Sequence, residues 1–423
     1  MICFGFFFLR YFYCENDNGS SGKKRSTFGL AQNRCFGLLV RLSLSKTDEQ
    51  PTNCEQNPRL NILQIISGQQ INGALNYCKL LTQKLVGRGH RVTIVCRSNS
   101  WIKQQSLDVP FIDSSLNRFP LSELRKIAAF VRDNKIDIIH THMSRAHAFG
   151  TILKFFVPNV PVIKSAHSRS VQLHWRFNDF VIANSEATER YHIHRNGISR
   201  RKIQTVHCFI DTDKFQPASQ LATRRVRSQL KWNNGEFLVG VVGEITKRKG
   251  QEFLVKAIPS LIKAIPHLRV VMVGRFFEQD PYVKQIRGFL SQNGIEHTTQ
   301  LIGIRDNVED FLTAMDVSIV PSLEEPLGLA AIESQSVGTP VIVSKTGGLT
   351  EVVNDEMSGL IVPMGDSDAI ARAIIRISQD VNLHRRLSFR GQEMVADSFT
   401  PEILVPQVET IYENLLSRRR KAA

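Results

Sequence analysis

From residue 59 onward, short apolar runs alternate with longer stretches in which apolar residues recur every three or four positions. The short runs have the length and β-branched content of buried strands, and the longer stretches have the period of amphipathic helices. Strands interleaved with helices favour a parallel, doubly wound α/β sheet. In the first half this pattern predicts strands at 60–66, 91–96, 137–140, 161–164, 180–183, 203–206 and 207–211, and helices at 74–86, 121–134, 146–156 and from 185.

The second half repeats this alternation after a change of composition at 216–236, which contains Pro217 and a basic run at 224–227. We place a domain boundary there, giving a first α/β domain at 59–216 and a second at 217–398. The final segment, 399–423, contains a helix that we expect to pack back on the first domain. Predicted strands of the second domain are 237–242, 268–273, 299–302, 316–321 and 340–344, and predicted helices are 251–264, 308–314, 368–378 and 383–397, with further helices ending near 290 and opening near 327.

Composition agrees with two soluble domains, and the net charge adds information about the binding partner. The 423 residues are too many for one core, while 42% hydrophobic and 22% charged residues are ordinary globular values. A net charge of +15 indicates an anionic partner, although charge alone does not choose among nucleotide sugars, anionic lipids and nucleic acid. Seven cysteines without a CxxC pair predict free thiols in a reducing cytoplasm rather than a disulfide framework or a zinc site.

The first 58 residues lie outside the α/β pattern. Their apolar opening, MICFGFFFLRYFYC, is interrupted by Arg10 and is shorter than the ~20 residues that span a bilayer. It also lacks the basic start and small-residue cleavage site of a signal peptide. We expect residues 1–58 to form a poorly ordered extension, with a membrane-surface anchor as the alternative.

Polar residues gather at one end of a predicted βαβ unit at 316–344. The strand at 316–321 leads into an acidic loop, and a helix opens near Gly328. In a parallel sheet the carboxyl ends of strands and the amino ends of the following helices face one crevice, where anionic ligands bind. We therefore expect the loop at 322–328 to face a ligand.

The segment 321–359 and the residues after it resemble the donor-site signature of glycosyltransferase family 4. The matching residues are EPLGL at 325–329, Glu333, GTPVI at 338–342, Gly347-Gly348 with Glu351, and NDEMSGLIVP at 354–363. Looser matches at 73–74, 89–93, 139–142, 183–187 and 249–250 follow the family's order, so the resemblance covers about 59–416. It implies the GT-B fold, two facing Rossmann-like domains, and a metal-independent transfer from a nucleoside-diphosphate sugar with retention at the anomeric carbon.

The resemblance assigns the leaving diphosphate to four residues. Lys249, with Arg248 beside it, would provide positive charge when the glycosidic bond breaks. Backbone N–H groups at Gly328 and Leu329 would add the positive end of a helix dipole.

Five further positions receive roles from the same resemblance. Glu325 would hold hydroxyls of the donor sugar, and Glu333 would accept hydrogen bonds from the ribose hydroxyls. His167 would lie beside the reacting sugar, and Gly73 and Ile304 would bind substrate. For the two glutamates the plainer alternatives are a helix-dipole partner and a solvated helix face.

Three positions depart from the family pattern. Glu244 stands where the family usually has arginine, so either Arg248 provides the second cation or Glu244 turns outward. Asn72 replaces the first glycine of a pair, and Cys208-Phe209 replaces the usual Asn-Gly. These departures affect the expected donor geometry but not the expected fold.

The sequence thus predicts a cytoplasmic enzyme that glycosylates an acceptor hydroxyl in lipopolysaccharide, exopolysaccharide or glycolipid synthesis, with no cofactor beyond the donor. The acceptor would be a glycan or lipid-linked, and the basic stretches at 192–202 and 418–421 suggest peripheral association with the inner face of an anionic cytoplasmic membrane. A nucleotide-sugar 2-epimerase and a catalytically weak sugar-nucleotide-binding module remain alternatives. No GxGxxG, nucleic-acid recognition motif or HExxH-type metal motif is present.

Overall fold

Two parallel sheets organise the computed structural model, which describes residues 59–117, 121–233 and 235–421. The expectations for residues 1–58 lie outside these ranges. The first sheet has the order β3-β2-β1-β4-β5-β6-β7 and the second the order β10-β9-β8-β11-β12-β13. Every strand pair is parallel in the described ranges, so the predicted doubly wound α/β architecture is confirmed.

The first sheet and its helices are built from the first half of the chain. Its inner strands β4 and β5 are buried along their whole length because helices cover both faces. The strands are β1 Asn61–Ile66, β2 Arg91–Cys96, β3 Phe111–Asp113, β4 Ile138–His142, β5 Val162–Ala166, β6 Phe180–Ala183 and β7 Ile203–Thr205. The helices are α1 Gly73–Gly87, α2 Leu121–Asp133, α3 Ser144–Phe156 and α4 Glu186–Asn196.

The second sheet follows after α5, and its strands β11 and β12 are likewise fully buried. Its strands are β8 Phe237–Val242, β9 Leu268–Val273, β10 Thr299–Leu301, β11 Val317–Val320, β12 Val341–Ser344 and β13 Leu360–Val362. The helices are α5 Gln220–Gln229, α6 Gln251–Ala264, α7 Pro281–Gln292, α8 Val308–Ala314, α9 Leu329–Ser336, α10 Leu349–Val352, α11 Ser367–Gln379, α12 Val381–Ser398 and α13 Pro401–Arg420.

The segment that looked like a linker contains helix α5. Arg227 of this helix is buried and donates hydrogen bonds to the carbonyl groups of Glu236 and Ala314 and, at 3.0 Å, to the carboxylate of Asp316. The basic composition therefore reflects a helix fastened to the second sheet. The structure also adds the short strands β3 and β13, and residues 206–211, predicted to be strand, form none.

Helix α13 lies against the helices and strands of the first half. Glu409 is buried and lies 2.8 Å from both Arg88 Nε and His90 Nε2. The Tyr412 hydroxyl lies 2.6 Å from His140 Nδ1. Farther along, Arg419 is paired with Asp179 at 2.9 Å, so this residue of the basic tail is not free surface charge. Across the described ranges, none of the helices combines the length and apolar character that crossing a bilayer requires.

Candidate active site

A cavity of about 1310 Å³ opens where the carboxyl ends of strands from both sheets meet. This is the edge at which doubly wound sheets bind ligands. All nine residues singled out from the sequence line it: Gly73, His167, Arg248, Lys249, Ile304, Glu325, Gly328, Leu329 and Glu333. Positions separated by 260 residues in the sequence are therefore brought to one site.

Lys249 and Glu325 form an ion pair at the floor of the cavity. Lys249 Nζ lies 2.5 Å from Glu325 Oε2, and the Ser322 hydroxyl donates to the same oxygen at 3.1 Å. Glu325 is only 7% exposed, so its charge is compensated by these two donors. An ammonium group has three N–H donors, so Lys249 can hold Glu325 and still donate to a ligand in the cavity.

The turn before α9 depends on glycine at two points. Gly328 has φ +109°, and a Cβ there would lie 2.4 Å from Leu349 Cδ2. Gly347 has φ +52°, and its Cβ would lie 2.0 Å from the carbonyl oxygen of Glu325. These two positions pack the loop at 325–328 against the start of α10. The amino end of α9 therefore opens into the cavity, where the N–H groups of Leu329 and Ala330 have no intrahelical acceptor.

Glu333 lies one turn into α9 and is partly buried. Burial raises the pKa of Glu333 to about 7, although the positive charges of Lys214 and Lys249 oppose that rise. Its carboxylate and carboxylic acid forms are therefore close in free energy at neutral pH. A ligand hydroxyl group that donates to Glu333 would favour the carboxylate.

Glu244 does not turn away from the site; it lines the cavity and lies 3.8 Å from Arg275 Nε. Arg275 follows Gly274 at the end of β9, and its guanidinium also donates to the Gln70 side chain and, at 3.1 Å, to the Ile71 carbonyl. Sequence analysis missed Arg275. The pattern Val273-Gly274-Arg275 repeats Val242-Gly243-Glu244 at the adjacent strand, and that repetition was the available signal.

His167 lines the cavity, partly exposed, beside the buried histidines His140 and His142. Its Nε2 lies 3.2 Å from His142 Nδ1, and its Nδ1 lies 3.8 Å from the Sγ of Cys208. Burial lowers the pKa of His167 to about 4, so the ring is neutral at pH 7. It therefore brings no positive charge, and both of its ring nitrogens already have partners within the protein. Cys78, Cys96 and Cys208 are free thiols.

The remaining sequence-derived positions lie at the rim and at the junction of the halves. Gly73 begins α1, and a Cβ there would lie 3.1 Å from Leu329 Cδ1, so these two residues meet across the cavity. Ile304 is 50% exposed, which leaves an apolar side chain at the edge of the cavity.

Glu351, noticed in the sequence only as part of a motif, joins the two halves. It accepts hydrogen bonds from the N–H groups of Glu186 and Ala187 at 2.8 and 2.9 Å, at the amino end of α4. His207 Nε2 lies 3.1 Å from the same carboxylate. Burial alone would raise the pKa of Glu351, but these hydrogen bonds outweigh it and lower the pKa below its ordinary value. Nearby, the Ser185 hydroxyl donates to the Pro326 carbonyl at 2.6 Å.

Comparison with known proteins identifies the family. Residues 71–214 match the family described as Glycosyltransferase Family 4, and residues 223–394 match Glycosyl transferases group 1. The chain belongs to glycosyltransferase family 4. The N-acetyl-alpha-D-glucosaminyl L-malate synthase of Bacillus anthracis is 24% identical over 79% of this chain and 92% of its own length. The capsular polysaccharide biosynthesis glycosyltransferase CapM of Staphylococcus aureus is 26% identical over 70% of this chain and 81% of its own.

Solved structures agree with this assignment. HepE of Anabaena, crystallised with UDP and glucose, superimposes with a TM-score of 0.75 at 20% identity. The alignment covers 84% of this glycosyltransferase and 100% of HepE. The predicted GT-B fold and the predicted enzyme class are confirmed. The roles of individual site residues and the absence of a cofactor stay predictions.

The two sides of the glycosyltransferase cavity differ in charge. We define the N-terminal wall as the lining residues between Ser67 and Phe215, and the C-terminal wall as those between Val242 and Glu333. The N-terminal wall has five basic residues and, within the described ranges, one carboxylate, Asp211. The C-terminal wall has four basic residues and five carboxylates. Its basic residues are Arg248, Lys249, Arg275 and Arg305, and its acidic residues are Glu244, Asp306, Glu324, Glu325 and Glu333.

Proposed function

We propose that this glycosyltransferase transfers a sugar from a nucleoside-diphosphate sugar to an acceptor hydroxyl, with retention of configuration at the anomeric carbon. The observation that carries the proposal is the convergence of Lys249, the amino end of α9 and Glu333 on one side of the cavity. A bound sugar nucleotide presents two negative phosphates, sugar hydroxyls and ribose hydroxyls. The C-terminal wall offers a complement to each of these groups.

The diphosphate is the leaving group, so its charge increases as the glycosidic bond breaks. Lys249 Nζ and the N–H groups of Leu329 and Ala330 are fixed before the reaction, and prepositioned donors of this kind stabilise developing negative charge. Arg248 is exposed at the rim, where its guanidinium donates to the Glu324 carbonyl at 2.9 Å. In this proposal it approaches the diphosphate from the solvent side, without a metal.

The donor sugar and the nucleoside occupy the two ends of the same wall. Glu325 is held by Lys249 and Ser322, which leaves its second carboxylate oxygen for sugar hydroxyl groups. Glu333 accepts hydrogen bonds from the ribose hydroxyls. The acceptor then attacks from the N-terminal wall, with neutral His167 beside the reacting sugar and a donor phosphate oxygen taking the proton.

A thermal-shift screen of the full chain against UDP-, GDP- and ADP-sugars tests the donor class. Ligand binding raises the unfolding midpoint by mass action, so one nucleotide series is expected to stabilise the wild type. UDP-glucose is the first donor to test because HepE was crystallised with UDP and glucose. The purified Glu333→Ala variant should lose most of this shift while it still unfolds in one cooperative transition. No shift with any series would contradict the proposal.

The stereochemical part is tested by proton NMR of the product. With an α-linked donor, the new glycosidic bond is expected to be α; a β-linked product would overturn retention. An epimerase would instead convert UDP-N-acetylglucosamine alone, without an acceptor, and the same spectra would show the epimer.

We further propose that the enzyme associates with an anionic membrane through an apolar patch on its first half. The patch consists of Phe155, Val171, Leu173 and Phe177, each between 57% and 75% exposed. Lys154 is paired with Asp179 at 2.7 Å and also donates to the Phe177 carbonyl at 3.3 Å, which ties α3 to the segment that contains Phe177. Sedimentation with phosphatidylglycerol vesicles should remove the wild type from the supernatant but leave the Phe155→Ser/Phe177→Ser variant there. Equal sedimentation of both proteins would refute this role.

A further inference from the structure

The N-terminal wall of the cavity carries uncompensated positive charge. Four of its five basic residues come from four places at the carboxyl edge of the first sheet: Lys79 on α1, Arg97 after β2, Arg145 on α3 and Arg169 after β5. The fifth, Lys214, is paired with Glu309 at 3.3 Å. The two histidines of this wall, His147 and His167, are neutral at pH 7 because burial lowers the pKa of each ring. Among the described residues, Asp211 is the one carboxylate that this wall adds to the lining, and it accepts a hydrogen bond from the backbone N–H of Lys214 at 3.1 Å.

These basic groups have few partners within the protein. In the described ranges Lys79 and Arg145 make no ion pair, and Arg97 Nε donates only to the Ser115 carbonyl, at 3.1 Å. Arg169 faces Glu324 at 3.5 Å, but its buried Nε makes no hydrogen bond. On the C-terminal wall, by contrast, Lys249 and Arg275 each face a glutamate.

Two helices add to the positive potential of the same wall. Helices α1 and α3 begin at Gly73 and Ser144, which both line the cavity, and neither has an acidic residue in its first turn. Arg145 itself lies in the first turn of α3. A cation at this end of a helix is electrostatically unfavourable, whereas an anion there is favourable. An anion bound beside Arg145 would relieve that conflict.

We propose that the acceptor of this glycosyltransferase is an anion: a hydroxyl compound bearing a phosphate monoester or carboxylate that binds Lys79, Arg97 and Arg145. This inference rests on the proposed function, because it assigns the C-terminal wall to the donor. The donor's own phosphates do not account for the charge, since Lys249, Arg248 and the amino end of α9 face them from the other wall. A neutral acceptor would leave three cations of the N-terminal wall without a counterion.

The test is calorimetric titration of the full chain with glycerol 3-phosphate and with glycerol, each with and without saturating UDP. The proposal predicts that glycerol 3-phosphate binds at least about tenfold more tightly than glycerol and that UDP does not displace it. The variants Lys79→Gln, Arg97→Gln and Arg145→Gln should each weaken glycerol 3-phosphate binding about tenfold. Arg125→Gln on α2 removes the same charge from an exposed position away from the cavity and should change nothing.

A second arm separates two sources of the same chemistry. Vesicles containing phosphatidic acid, compared with phosphatidylcholine vesicles, present the phosphate monoester on a lipid. If only these vesicles bind, and the three wall variants reduce that binding relative to Arg125→Gln, the acceptor is a lipid headgroup. If glycerol 3-phosphate binds in the same variant-dependent way, a soluble acceptor is favoured.

Three results would overturn the proposal: equal affinity for the charged and neutral probes, unchanged binding of both anionic probes in all three wall variants, or displacement of glycerol 3-phosphate by UDP. A failure of the proposed function would give a different result, because the wild type would then not bind UDP. The titration with glycerol 3-phosphate in the absence of UDP would still test the anion site.

Discussion

The two walls of the cavity use charge in opposite ways. On the C-terminal wall each buried or partly buried cation has a carboxylate nearby, as in the 2.5 Å pair of Lys249 and Glu325. On the N-terminal wall Lys79, Arg97 and Arg145 make no ion pair with a described residue, and the amino ends of α1 and α3 face the same side of the cavity. A paired wall holds its groups in fixed positions before a ligand arrives, whereas an unpaired wall is electrostatically incomplete until an anion binds.

The walls also differ in how the chain builds them. Most of the C-terminal wall comes from two segments, 242–249 and 324–333, and its shape depends on local turns such as the one at Gly328. The N-terminal wall is gathered from loops after β1, β2, β4 and β5. A motif can therefore reveal the first wall, but only the fold assembles the second.

The largest expected effect comes from breaking the central pair of the C-terminal wall. Lys249→Ala removes the cation facing the leaving diphosphate and leaves buried Glu325 without its ammonium partner. We expect turnover to fall about 10²- to 10³-fold, measured as nucleotide release. Lys247→Ala, an exposed lysine in the same turn, is the matched control and should retain activity. Comparable activity of the two variants would refute the role of Lys249.

A smaller effect is expected from neutralising Glu333. Glu333→Gln should weaken donor binding about 10- to 100-fold, because an amide is a poorer acceptor than a carboxylate for ribose hydroxyls. Since the pKa of Glu333 is about 7, donor affinity of the wild type should rise as pH increases through 7, whereas the variant should show a flat profile. A parallel rise of donor affinity in both proteins would show that a group other than Glu333 titrates.

The same substitution has a stability consequence of opposite sign. The pKa of Glu333 is higher in the folded chain than its ordinary value of 4.5, so the folded state binds the extra proton between these pH values. Without ligand, the contribution of Glu333 to the free energy of unfolding therefore falls as pH rises from 4.5 through about 7. Glu333→Gln should unfold at a higher temperature than the wild type at pH 8, and the difference should shrink toward pH 4.5.

A third prediction concerns the contact between the walls. Arg275→Gln removes the guanidinium that faces Glu244 and donates to the loop before α1, so the donor KM is expected to rise about tenfold. If the positive charge compensates Glu244, Glu244→Gln in the Arg275→Gln background should recover part of that loss. Additive losses in the double variant would show that the two residues act independently.

Much of the fold followed from the sequence because its strands are buried on both faces. β8, α6 and β9 begin and end where the apolar pattern places them, since strong amphipathic or β-branched runs leave few alternatives. Short edge strands such as β3 carry no such pattern, with all three residues less than fully buried. Helix α5 was missed because its many basic residues resemble a solvated linker, although Arg227 is buried.

The site residues, like the fold, were predictable from the sequence only in part. Residues inside one contiguous motif, such as Glu325 and Glu333, could be named from the sequence because their spacing is local. Arg275 has only the repeated Val-Gly-charged pattern as a signal, because its importance depends on β9 lying beside β8 and on a loop about 200 residues earlier. Lys79 and Arg97 are ordinary basic residues until parallel strands bring them to one edge.

The smallest effect tests whether the two walls are independent. Glu351 belongs to the second half but caps the amino end of α4 in the first, with a side chain 14% exposed. Glu351→Gln keeps an acceptor oxygen and removes the charge, so we expect about 1 kcal/mol less stability, seen as a lower unfolding midpoint at pH 7. Glu356→Gln breaks an exposed pair with Arg376 and should change the midpoint little.

The pH dependence of that difference identifies its origin. The pKa of Glu351 is lowered in the folded chain, so its stabilising charge is present above the ordinary value of 4.5 and is lost as pH falls through the folded value. The wild type and Glu351→Gln should therefore converge below pH 4.5. If the variant loses stability but keeps its donor KM, the contact joins the halves without shaping the donor site. Pro326 and Glu351 both contact the amino end of α4, and the loop at 325–328 lines the cavity. If the donor KM rises as well, the geometry of the C-terminal wall therefore depends on these contacts with α4.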